Sequence, residues 1–170
     1  MLFRSVTGGA VAVLCEQEPA TEVPSVVVPD ARLALGRLAA WWRARFAIPV
    51  VALTGSNGKT TVKEMLAAVL REHAGESAVL ATAGNLNNDI GVPLTLLQLR
   101  AGHRCAVVEA GMNHAGELRY LTGIIRPVVA VVTNAGPAHI GELGSMDAIA
   151  SAKGELYEGD RKSTRLNSSH

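Results

Sequence analysis

Apolar and polar positions along the chain change rhythm near residue 50. Before it, Ala10 to Leu14 and Ser25 to Val28 are short apolar segments separated by Glu16-Gln17-Glu18-Pro19, which predicts two short strands with a polar connection. Pro29-Asp30 then predicts a helix start with Asp30 as N-cap. Leu33, Leu35, Leu38, Trp41, Trp42 and Phe46 follow mostly at helical spacing, and Arg32, Arg37, Arg43 and Arg45 mark a wetter side. Adjacent tryptophans pack a helix onto a neighbouring domain more often than they form a ligand platform, and packing is the expectation here. Ala47-Ile48-Pro49 ends the helix and reads as a domain junction.

From residue 50 the pattern is regular. Strand 50–53 leads to helix 59–72, and a strand at Ala78 to Ala81 leads to a helix near 92–99. Strand 105–109 leads to a helix near 115–122, and strand 128–133 to a helix near 146–157. Val128 to Val132 is continuously apolar, as expected of a strand covered on both faces. Alternating strands and helices of this kind predict an α/β fold with a mostly parallel sheet and flanking helices. Ligands of such sheets sit at the carboxyl ends of the strands. The stretches Thr54 to Thr61, Thr82 to Asp89, Glu109 to His114 and Thr133 to Gly141 all fall there.

The first of these stretches carries the clearest chemistry. Thr54-Gly55-Ser56-Asn57-Gly58-Lys59-Thr60-Thr61 stands between an apolar strand and a helix, the layout of a phosphate-binding loop. The lysine adds a point charge and the threonine hydroxyl can ligate Mg²⁺. The common pattern G-x-x-x-x-G-K-[ST] is met only in part, since Leu53 occupies the place of its first glycine. An ordinary strand-to-helix turn with a solvated lysine is the plainer alternative.

Glu109 ends a buried strand beside that loop, where a carboxylate can hold Mg²⁺ or be merely solvated. His139 follows the next strand and can ligate a cation or orient a phosphate, although a lone loop histidine is more often a surface residue. In the last helix Met146, Ile149, Ala150, Leu156 and Tyr157 mark an inward stripe, and Lys153 points the same way. Such a lysine snorkels to water or, if buried, needs a partner or a changed charge. Carbamylation by CO₂ is one chemical answer. Thr82 to Pro93, with Asn85, Asn87, Asn88 and Asp89, reads as a substrate loop or a plain turn-rich loop.

Composition narrows the field. The chain has 170 residues, 48% of them hydrophobic and 18% charged, so a real core is expected and extensive disorder is not. A net charge of +1 without a basic block gives no indication of nucleic acid as partner. Cys15 and Cys105 form no metal-like spacing and read as buried free thiols of a reducing cytosol. No apolar run is long enough to span a bilayer, which points to a soluble, cytoplasmic protein.

Taken together, T-G-S-N-G-K-T-T, G-N-L-N-N-D-I-G-V-P, E-A-G-M-N-H-A-G-E-L, T-N-A-G-P-A-H-I-G and A-K-G-E-L resemble the central domain of the Mur ligases, with the closest likeness in the MurF-type branch. The resemblance covers about residues 8 to 159. It implies an ATP- and Mg²⁺-dependent amide ligase of peptidoglycan precursor synthesis, a monomer that joins D-Ala-D-Ala to a UDP-MurNAc-peptide through an acyl phosphate. Gly55, Ser56, Asn57, Gly58, Lys59, Thr60 and Thr61 would bind the nucleotide. Thr60, Glu109, His139 and carbamylated Lys153 would face the metal ions, and Lys59, Lys153 and His139 would be catalytic. Asn85, Asn87, Asn88, Asp89, Asn113 and His114 would line the substrate side.

The resemblance also implies domain limits. Residues 1–47 would close a uridine-nucleotide-binding domain, 48–160 would form an incomplete ATP-binding domain, and 161–170 would be a disordered or foreign tail. A segment so bounded is expected to fold poorly or partly and not to turn over alone. The alternatives are another Mur-like ligase, of the folylpolyglutamate or cyanophycin synthetase type, and a non-catalytic nucleotide-binding fragment.

Overall fold

A computed structural model describes residues 6–20, 22–137 and 140–158. The expected tail at 161–170 and His139 lie outside the described residues. Strands β1 (Val13–Cys15) and β2 (Ser25–Val27) pair in parallel. The Asp30 carboxylate then accepts the Leu33 N–H at 2.8 Å and caps helix α1 (Ala31–Arg43), as the sequence predicts.

The main sheet contains β3 (Val50–Thr54), β4 (Val79–Ala81), β5 (Cys105–Glu109) and β6 (Val129–Val132) in the order β4-β5-β3-β6, with every pairing parallel. Helix α2 (Lys59–Ala74) packs on β4 and β5. Helices α3 (Gly91–Leu96), α4 (Glu117–Ile125), α5 (Ile140–Leu143) and α6 (Met146–Gly154) follow, and a 3₁₀ turn, Glu155–Tyr157, extends α6. Val50, Ala52, Ala106 and Val108 alternate onto one face of the sheet and share a core with Leu96, Leu118, Leu121 and Leu156.

Helix α1 lies across α3 and α4, and its buried side is made of Gly36, Ala39 and Arg43. A Cβ on Gly36 would strike the Tyr120 hydroxyl, so glycine sets how closely α1 approaches α4. Three expectations are corrected on this helix. Arg43 is buried instead of wet, donating to the carbonyls of Ile125 (3.0 Å), Phe46 (2.5 Å) and Ile48 (3.2 Å). Only Trp42 of the tryptophan pair packs inward, its Nε1 donating to Leu99 O at 3.1 Å, while Trp41 is exposed beneath the Arg45 guanidinium. Consecutive helical residues lie about 100° apart, so both rings cannot face one core. Leu33 and Leu38 are likewise exposed, because small residues form the buried stripe.

Two further expectations change. β6 is not covered on both faces: it is last in the sheet order among the described residues, and Val128 and Val129 are exposed. In α6 and the turn after it, the inward stripe is Ile149, Ala152, Lys153 and Leu156, at offsets of three, four and seven. Met146, Ala150 and Tyr157 are exposed, while Lys153 is buried and does not snorkel to water, the case that calls for a partner or a changed charge. Cys15 and Cys105 are buried free thiols.

Candidate functional site

The loop Gly55 to Gly58 joins the end of β3 to the start of α2. Gly58 has φ 76° and ψ 0°, a left-handed turn that glycine adopts without strain. As at any helix start, the first-turn N–H groups of α2 have no intrahelical partner, and no side chain caps them here, which leaves an anion-binding helix start. A Cβ on Gly55 would collide with Thr133 Oγ1. Lys59 Nζ donates to Gly55 O at 2.7 Å, so its ammonium folds back over the loop.

The segment after β6 clamps this loop from the side. Ser56 N–H donates to Asn134 O at 3.1 Å, and Asn57 N–H to Asn134 Oδ1 at 3.0 Å. Thr133 Oγ1 and Asn134 Nδ2 both donate to Asn57 O, at 2.7 and 3.0 Å. Ser56 Oγ donates to Gly136 O and accepts from Gly136 N–H, each at 2.9 Å. Thr133, Asn134 and Gly136 therefore fix the loop's shape, a role that motif reading had not given them.

Glu109 stands beside the loop because β5 pairs with β3 in a register that sets it opposite Leu53. Its side chain is buried. Thr60 Oγ1 donates to Glu109 Oε2 at 3.1 Å and Asn87 Nδ2 to Oε1 at 2.8 Å. Glu109 N–H donates to Thr82 Oγ1 at 2.9 Å, and Lys63 Nζ to Thr82 O at 2.7 Å. Glu109 is the one predicted metal ligand of carboxylate, thiol or imidazole type that is described. Among the described residues no three His, Cys, Asp or Glu side chains cluster as a metal centre.

A cleft of about 600 Å³ opens next to Lys59 and is lined by Arg32, Asn87, Asn88, Asp89, Asn113 and Tyr120, among others. Arg32 and Asp89 form an ion pair across it at 2.6 Å. Asn87 is anchored by Gly111, whose N–H donates to Asn87 O at 2.7 Å and whose lack of a Cβ leaves room for the Asn87 amide. Asn88 Oδ1 accepts from Gly91 N–H at 2.8 Å, so this side chain also stabilises the start of α3. Two predicted substrate residues do not line the cleft. Asn85 is exposed beyond it, and the His114 ring turns to Glu117 Oε1 at 3.1 Å. Glu117 also accepts the N–H groups of Asn113 (2.7 Å) and His114 (3.3 Å), which shapes the loop before α4.

Lys153 approaches from α6. Burial, then the nearby charge of Lys59, pushes its ammonium pKa below the usual lysine value. No carboxylate partners it among the described residues. Two residues on, the buried Glu155 carboxylate accepts Gly116 N–H at 2.8 and 2.9 Å and Arg119 N–H at 3.2 Å, tying α6 to the start of α4. Lys63, Thr82, Glu117 and Glu155 were missed as site residues. For Lys63 a signal existed: it stands four residues before the buried Ala67, on the inward side of α2.

The Mur ligase middle domain family matches residues 53–166 of the chain. The UDP-N-acetylmuramoyl-tripeptide–D-alanyl-D-alanine ligase of Haemophilus influenzae is 50% identical over 160 residues, covering 93% of this chain and 35% of that protein. The enzyme of the same name from Escherichia coli K12 is 49% identical over 152 residues, covering 89% of this chain and 33% of its own length. A crystal structure of MurF from Acinetobacter baumannii superposes with a TM-score of 0.87 at 46% identity, covering 94% of this chain and 35% of that one. The MurF ligase of Thermotoga maritima, solved in complex with ADP, gives 0.84 at 31% identity, covering 94% and 37%. The chain thus spans about a third of the length of the curated relatives it matches. Among the described residues no helix is long and apolar enough to cross a membrane.

Proposed function

The chain belongs to the Mur ligase family, and we propose that it carries the nucleotide-binding and metal-binding part of an ATP-dependent ligase that joins D-alanyl-D-alanine to UDP-N-acetylmuramoyl-tripeptide. The observation that carries this reading is the meeting of Thr60 and Glu109 beside a clamped glycine loop that ends in Lys59. A hydroxyl and a carboxylate oxygen are the donor types Mg²⁺ prefers, and a helix start with a lysine suits a polyphosphate.

In this reading Gly55 to Gly58 and the first turn of α2 receive the phosphates of ATP, and Lys59 leaves Gly55 O to meet their charge. Thr60 and Glu109 would hold Mg²⁺, and His139 would be a further ligand. Lys153 has the properties of a carbamylation site: burial lowers its pKa, so more of it is the neutral amine that attacks CO₂, and the carbamate replaces an unpaired cation with an anion. Bound there, Mg²⁺ would offset the repulsion between the peptide carboxylate and the transferring phosphoryl group. Asn87, Asn88, Asp89 and Asn113 orient the peptide in the cleft beside Lys59. The carboxylate would take the γ-phosphoryl group of ATP with ADP leaving, and the amine of D-alanyl-D-alanine would then attack the acyl phosphate, losing a proton as phosphate leaves and the amide forms. Residues 1–47 would belong to the domain that holds the uridine nucleotide, and residues 48–160 to the ATP-binding domain.

Calorimetry with Mg-ATP on this chain and on Lys59→Ala tests the nucleotide site. Binding by the parent and its loss in the variant is expected, and no binding by the parent sinks the reading for this chain. For Lys153, ¹³C-bicarbonate should give a carbamate resonance in the intact ligase that Lys153→Ala lacks; the same spectrum from both proteins refutes the assignment.

A further inference from the structure

Lys63 is a buried cation that the reaction does not use. Its side chain is 1% exposed, and its ammonium donates to Thr82 O at 2.7 Å and meets Glu64 Oε1 at 2.8 Å near the surface. Thr82 is buried at the end of β4, where its own N–H donates to Val107 O at 3.0 Å and its hydroxyl accepts Glu109 N–H at 2.9 Å. Glu109 returns to α2 through Thr60 Oγ1. Thr60 and Lys63 stand three residues apart on one face of α2, so these contacts close a ring from helix to β4, to β5, and back to the helix.

We propose that Lys63 is a positioning residue for the Glu109 carboxylate, acting through Thr82 to set the distance between the Glu109 and Thr60 oxygens. Burying a lysine is costly, and an apolar chain of similar volume would fill the same space without desolvating a charge. What an apolar chain cannot do is hold the Thr82 carbonyl. Without that tie the end of β4 shifts relative to α2, the Thr82 hydroxyl moves with it, and the Glu109 backbone loses its reference point. The inference rests on the reading that Glu109 and Thr60 hold a divalent cation.

The test is Mn²⁺ affinity, measured by electron paramagnetic resonance with saturating ADP, in an intact ligase carrying this segment. Lys63→Met and Thr82→Val should each raise the Mn²⁺ dissociation constant roughly tenfold, the usual scale for a residue supporting a metal ligand. Lys63→Met leaves the buried Thr82 carbonyl without its donor and should lower the melting temperature as well as the affinity, and Lys63→Arg should recover part of both. Parent-like Mn²⁺ affinity in Lys63→Met, with Glu109→Gln weakened, overturns the role of Lys63 and leaves the metal reading standing, whatever Thr82→Val does. So does a lowered melting temperature with unchanged Mn²⁺ affinity, which is a purely structural role. If Glu109→Gln itself binds as the parent does, the metal reading falls and the inference falls with it. Should Lys63→Met fail to fold, Lys63→Gln, neutral and one bond shorter toward Thr82 O, takes its place, and parent-like Mn²⁺ affinity there overturns the role of Lys63.

Discussion

Thr60 and Glu109, 49 residues apart in sequence, meet at 3.1 Å where the first turn of α2 crosses the carboxyl end of β5. The contact exists because β3 and β5 are parallel neighbours in register, so the loop leaving one strand passes over the last residue of the other. Glu109→Gln keeps the volume and can still pair with Asn87, so the fold should survive with a melting temperature close to the parent's. Without the charge, phosphate release by the intact ligase should fall about a hundredfold, as for loss of one electrostatic group aimed at a transition state. Full activity in this variant would remove Glu109 from the site.

The glycine loop makes a second prediction. A Cβ at Gly55 has nowhere to go because Thr133 Oγ1 already occupies its place. Gly55→Ala should displace Thr133, break its hydrogen bond to Asn57 O, and open the clamp around the loop. ADP affinity should fall by more than about tenfold, or ~1.4 kcal/mol, by calorimetry. Gly102→Ala, at a glycine with open space around it, is the control and should bind as the parent does.

Arg43 tests stability apart from chemistry. Its guanidinium holds the carbonyls of Phe46 and Ile48 together with that of Ile125 at the end of α4. Arg43→Ala leaves these buried acceptors without their donor and should cost about 3 kcal/mol of unfolding free energy in urea titration. Arg45→Ala, which loses only an exposed stacking contact on Trp41, should cost at most about 1 kcal/mol. Equal losses in the two variants would contradict the geometry.

The contrast between Arg43 and Lys153 shows what was legible in the sequence. Each strand from Val50 to Val132 announced itself by an apolar run between turn residues, and the parallel sheet followed from their alternation with helices. Lys153 was legible because Ile149 and Leu156 mark one stripe and the lysine falls within it. Arg43 was not, because α1 buries Gly36 and Ala39, small residues that carry no hydrophobic signal, while its leucines stay outside. The clamp by Thr133 and Asn134 was equally hidden: backbone acceptors such as Asn57 O leave no mark in a sequence, and only the pairing of β3 with β6 brings the two segments together. The role of Glu117 needed the turn at Asn113-His114 to be seen folding back on α4.

That turn makes stability depend on acid. Burial pushes the Glu117 carboxyl up, but N–H donation from Asn113 and His114 and the His114 ring outweigh it, leaving its pKa below the ordinary 4.5. In the unfolded chain these contacts are gone, so the unfolded state takes up a proton first as pH falls. The stabilisation is therefore present in full above 4.5 and is lost as pH drops through the folded value. Glu117→Gln lacks this component at every pH and also weakens the cap on the Asn113-His114 turn. Melting temperatures of parent and variant, followed from about pH 7 to about pH 3, should differ most near neutrality and converge as the carboxylate protonates. A gap that stays constant across that range would mean that Glu117 holds the turn by shape and not by charge.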